Sequence, residues 1–248
     1  MSGLRGGGDD QVVSASRETL PAHFCQQFGV SIGFHSGSGK SAENYQVMGE
    51  VTGGRLEIKT SGRYTYEMGR ALFASSNPAD QALWRDWHKF TLELALKGAF
   101  STDATEQKMA RTFITTALSE SSPARERRDS DADTLFTSPA TTRAALESLT
   151  PNPEHMFWFE YNFLYVLAAD GRADKAALGD HSPAGYRQRA RFYSISDEGR
   201  LLYSKNVAAY IVFLAENTRL ASSERCAAAR KLLERYTTLE QMLNDISR

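Results

Sequence analysis

The sequence predicts an α/β fold: a partial TIM-barrel-like set of parallel β/α units followed by a mostly helical C-terminal region. Three observations predict it. Residues 17–74 alternate as α-β-α-β-α. Both strand patterns end in short Ser/Gly loops that open onto helices. The remainder of the chain after residue 74 reads as mostly helix. Strands alternating with helices argue for a parallel sheet, and sites in such sheets form at the carboxyl ends of the strands.

The elements follow in order. Residues 1–16 are glycine-rich and polar and read as a flexible leader. Residues 17–28 read as a helix closed by Gly29, with Pro21 marking its first turn. An apolar strand over 30–34 leads into the loop HSGSGKS, and Ser41 opens a short helix over 41–49. Gly53-Gly54 turns the chain into a second strand, Arg55–Lys59, where Leu56 and Ile58 alternate with Arg55, Glu57 and Lys59. Thr60-Ser61-Gly62 follows, then a helix over 64–74. In residues 80–97, Leu83, Trp87, Phe90 and Leu94 share one face. Asp103 and Glu106 have capping-box spacing before a helix with Met109, Phe113, Ala117 and Leu118 turned inward. Residues 119–137 read as a polar loop. Ser138-Pro139 and Ser182-Pro183 each match a cap followed by proline. The run Met156–Ala169 is apolar nearly all round, which argues burial as helix or strand. Helices near 197–217 and 223–247 close the chain.

This divides the chain into a leader (1–16), β/α units with the site loops (17–118), a polar loop (119–137) and a helical region packing on the β/α part (138–248). Two strands do not close a barrel. The expectation is either a helix-dominated α/β domain or part of a larger α/β fold.

Composition narrows the function. The 248 residues carry 29 basic and 30 acidic side chains, with no basic face to suggest nucleic acid. Two distant cysteines, Cys25 and Cys226, give no disulfide framework and fit a reducing compartment. No apolar run reaches membrane-spanning length, and the start lacks a secretory core. The expectation is a soluble cytoplasmic protein without a membrane partner.

The stretch Val30–Ser41 resembles a phosphate-binding P-loop, but the first glycine of G-x-x-x-x-G-K-[ST] is replaced by Phe34. A nucleotide-binding module using Lys40 and Ser41 is therefore an alternative rather than the leading reading. A non-catalytic helical interaction protein, with the glycine loops as plain turns, is another. His35 stands at the strand end, as a metal ligand or proton carrier, or as a packed histidine bonded to backbone. Ser36, Gly37, Ser38 and Gly39 either bring backbone N–H groups to an anion or form a tight turn. Lys40 and Lys59 are candidate carboxylate partners, and Arg63 a candidate bidentate clamp. Glu43 and Glu67 read as solvated helix residues favoured by the helix dipole. Glu160, inside MFWFEYNF, is either a structural anchor or a catalytic acid. His181, in GDHSP, is a surface residue or a weaker site candidate.

The pair of motifs GFHSGSGK (33–40) and TGGRLEIKTSG (52–62) resembles the tagaturonate epimerase family, whose members carry an HSGS-(D/G)-K loop, a TGGR segment and a KT-(A/S)-G loop. The likeness extends through the Tyr64–Leu72 helix and the tryptophan-bearing helix that follows. The resemblance implies a metal-dependent sugar-acid epimerase with a barrel-like α/β fold, interconverting tagaturonate and fructuronate. A divalent cation would polarise the ketone while acid and base groups exchange a proton. It makes His35 a metal ligand, and it makes Ser36, Gly37, Ser38, Lys40, Lys59, Ser61 and Arg63 substrate-binding or site-shaping residues. Family members are about twice this length and the match falls on their C-terminal half. The expectation is a partial site with little activity alone: a truncated product, a fragment, or a remnant that needs a companion chain to supply the missing half-barrel.

Overall fold

The computed structural model describes residues 27–34, 41–120, 134–156, 165–166, 172 and 183–247. Along the chain these form β1 (Ile32–Phe34), α1 (Ala42–Thr52), β2 (Leu56–Ile58), α2 (Ser61–Ala74), α3 (Pro78–Ala99) and α4 (Ala104–Glu120). Then follow α5 (Pro139–Glu147), a 3-10 turn (Pro153–Met156), α6 (Pro183–Tyr193), α7 (Asp197–Asn217), α8 (Ser223–Arg235) and α9 (Leu239–Ile246). The contacts divide the chain into two units: residues up to Asn77 together with those from Ser196 onward, and Pro78–Ile195.

The fold class is a correction. The described chain is 76% helix with two parallel strands in one small sheet, not a partial TIM barrel. A barrel of this kind needs eight strands, and each observed strand has three residues. What the α-β-α-β-α pattern did locate is the parallel pair itself. Ile32 pairs with Leu56, Gly33 with Glu57 and Phe34 with Ile58.

Local chemistry explains the β1-α1-β2 crossover. The Ser41 hydroxyl caps α1 by accepting the Asn44 N–H at 3.3 Å. Gly53 (φ 59°) and Gly54 (φ 78°) take left-handed angles that end α1 and turn the chain into β2. Tyr45 and Met48 of α1 are buried. Gly49 lies so close to Thr218, just past α7, that a Cβ would stand 2.5 Å from its carbonyl oxygen.

Helix α7 is the hub of this first unit, packing against α1, α2, α8 and α9. Ser196 caps it by accepting the Gly199 N–H at 3.0 Å. Its C-terminal end fixes Arg219 at φ 60°. The expected helix over 223–247 is interrupted at Tyr236–Thr238, where a capping box of Thr238 and Gln241 starts α9. Tyr236 and Met242 then pack on Leu201 of α7.

The second unit is built on α3, whose Leu83, Trp87, Phe90 and Leu94 are buried as their spacing predicts. They meet the buried face of α4, including Ala110, Phe113, Ile114, Ala117 and Leu118. Met109 is the exception: it is 44% exposed. The expected capping box is half made. Asp103 accepts the Glu106 N–H at 2.8 Å, while the Glu106 carboxylate takes the Ser101 hydroxyl. Ser138 caps α5 with Pro139 behind it. Tyr165 is fully buried against Trp87 and Phe192, and its hydroxyl accepts from Arg191 at 2.8 Å.

Candidate functional site

The parallel register brings the carboxyl ends of β1 and β2 together. The Lys59 N–H donates to the Phe34 carbonyl at 3.1 Å, so the last residue of β1 and the start of the segment after β2 lie side by side. His35, Ser36, Gly37, Ser38 and Lys40 lie outside the described residues, as do Glu160 and His181. Of the sequence-derived candidates, Ser41, Glu43, Lys59, Thr60, Arg63 and Glu67 are described with their side chains, and Ser61 by its backbone.

Lys59 is exposed at the sheet end. Thr60 is the N-cap of α2 but makes no side-chain capping bond. Its carbonyl accepts the Arg63 N–H at 3.0 Å, and Lys59 precedes it in the chain, so a helix N-terminus and a lysine adjoin in sequence here. Both features favour an anion there.

Arg63 is committed to a protein carboxylate. Its Nε donates to Glu67 Oε1 at 2.7 Å, and Arg70 donates to the other oxygen at 3.2 Å. The Arg63 guanidinium also lies 4.6 Å from the ring centroids of both Tyr66 and Tyr210. Tyr210 is fixed in turn by a 3.1 Å hydroxyl contact with Tyr45, and Asn206 donates to the Glu67 carbonyl. Burial, with Tyr64 and Glu67 nearby, pushes the Tyr203 hydroxyl above its ordinary pKa, so it stays protonated at neutral pH.

Glu67 is where the reading from sequence alone misjudges a residue. It is 1% exposed, not solvated. The signal was present in the sequence: Arg63, Glu67 and Arg70 stand at i−4, i and i+3, which places both arginines on the face of the glutamate. Glu43, by contrast, is exposed. Ser41 holds its hydroxyl in the cap of α1, which competes with the magnesium contact that a P-loop would ask of it.

A second buried polar cluster lies in the other unit. His88 on α3 and His155 in the 3-10 turn share a 2.9 Å hydrogen bond between Nε2 and Nδ1. Trp84 stacks on His88, and Phe113 meets His155 edge-on. Burial, then the neighbouring His155, lowers the His88 pKa from 6.5 to about 4, and burial also lowers that of His155. The two residues are 67 apart in sequence, so no local motif announces them.

Among the described residues, no group of three or more His, Cys, Asp or Glu could hold a metal ion. These residues do not by themselves fit the divalent cation that the resemblance implies. What the described sheet end offers is positive charge and N–H donors. No helix among the described residues is long and apolar enough to cross a membrane. Comparison with protein-family models, curated proteins and solved structures gives no match.

Proposed function

We propose that this chain is the C-terminal portion of a tagaturonate-epimerase-like sugar-acid epimerase, and that the carboxyl end of its sheet receives the carboxylate of a ketouronate. One observation carries the reading: β1 and β2 pair in parallel, so that the strand ends Phe34 and Ile58, which lead in sequence to His35 and Lys59, are adjacent. The two motifs that bear the family resemblance run through those same two strand ends. Lys59 and the N–H groups at the start of α2 supply the positive field that a carboxylate needs. Arg63 acts through the site's framework: held by Glu67 and two tyrosines, it stiffens the first turn of α2. The remaining metal ligands and the acid/base pair come from a companion chain or from more of the same protein. In this reading the protein works in the cytoplasm, consistent with its two distant cysteines.

Calorimetric titration with tagaturonate and fructuronate, in the presence of Mn²⁺, tests this. The expected result is saturable binding that weakens about tenfold in Lys59→Ala, the loss of one charge-assisted contact. An interconversion assay with added Mn²⁺, Co²⁺ or Zn²⁺ should show little turnover by this chain alone. Absence of saturable binding rejects the sugar-acid reading, whereas robust turnover rejects the partial-site component.

A further inference from the structure

We propose that the polar face of α4 is a binding site for a small phosphorylated ligand, built from residues other than those at the sheet end. Lys108, Arg111, Thr112, Thr115 and Thr116 recur at i, i+3, i+4, i+7 and i+8, so they form one stripe along the helix. The opposite stripe is the buried one that packs on α3. With Phe136, these residues line a groove of about 610 Å³. That volume lies within the range of small-molecule sites.

The chemistry of the stripe selects the ligand. Among the described residues that line the groove, Lys108 and Arg111 bring positive charge, three threonines bring hydroxyls, and none is a carboxylate. An ordinary solvated helix face mixes charges of both signs. Arg111 is also preorganised: its Nε donates to the Ala99 carbonyl at 3.0 Å, and its guanidinium lies 5.0 Å from the Phe136 ring centroid. This fixes the fork while using one of its five N–H donors. A carboxylate offers two acceptor oxygens, whereas a phosphoryl group offers three and carries nearly two charges. Two cations with three hydroxyls match the latter. Phe136 adds an apolar wall for the body of the ligand.

The test is a titration of the full chain with inorganic phosphate and with AMP at fixed ionic strength, followed by calorimetry or amide NMR, with acetate as the carboxylate control. Saturable binding of phosphate or AMP, and much weaker binding of acetate, is expected. The double variant Lys108→Gln, Thr112→Val should bind about tenfold more weakly, as loss of a charge-assisted contact implies. Lys108 and Thr112 are both exposed, so the circular dichroism of the variant should match the parent. No saturable binding, equal binding of acetate, or undiminished binding by the variant overturns the proposal. Neither Lys59 nor a uronate enters this test, so its failure leaves the sheet-end reading untouched.

Discussion

At the residue scale, Glu67 controls the most about the sheet-end site. It is buried with an arginine on either side, and removing a buried partner leaves charge without its complement. Glu67→Ala is expected to cost about 3 kcal/mol, toward the lower end for a broken buried pair because Arg70 reaches solvent. Urea unfolding measures this; a loss below about 1 kcal/mol would place the pair with exposed bridges instead. The His88–His155 pair makes a prediction about pH. Both imidazoles have folded-state pKa values below 6.5, so folding favours their neutral forms. Their contribution is complete above the unfolded pKa of 6.5, is lost as pH falls from there, and is gone below about 4 for His88. At 1.36 kcal/mol per pKa unit, His88 alone accounts for about 3 kcal/mol across that window. Urea midpoints measured from neutral pH down to about pH 4 should fall in the parent and flatten in the double variant His88→Leu, His155→Leu. Parallel curves for the two proteins would refute the assignment. Neither cluster was read correctly from sequence. Glu67 needed only its flanking arginines to be counted, but the histidine pair is a tertiary encounter that local spacing does not encode.

At the element scale, sequence reading succeeds where local chemistry decides. Ser41 and Ser138 cap helices, Gly53-Gly54 makes a turn, and the α3 stripe is buried, each for reasons contained within a few residues. It fails where a boundary depends on the partner. Met109 has inward spacing on paper and faces outward in the fold. Gly49 gives a sharp test of packing between elements. An added methyl would meet the Thr218 backbone, which cannot rotate away like a side chain. Gly49→Ala is therefore expected to lose about 1–3 kcal/mol, although alanine is the better helix former. Thermal unfolding decides it; an unchanged or raised melting temperature would show that α1 and the end of α7 are not in such close contact.

At the scale of the whole molecule, the β/α pattern was legible and the architecture was not. Two strands with intervening helices suggest a barrel, yet a barrel is defined by the strands that follow, and here the described segments after Ala74 contain helices and no further strand. The division into two units also has physical content. Trp87 is at the centre of the second unit, and Trp87→Ala is expected to remove about 3–5 kcal/mol there. Hydrogen exchange should then lose protection chiefly in α3, α4 and α5, with α2 and α7 much less affected; uniform loss would mean one cooperative body. The central claim is that the ends of β1 and β2 serve a single ligand. Its most direct measurement is an NMR titration with tagaturonate that follows the His35 ring and the Lys59 amide in the same sample. Both signals are predicted to shift along curves with one shared dissociation constant. If only one moves, or the two saturate at different concentrations, the loops do not share a site and the account is contradicted.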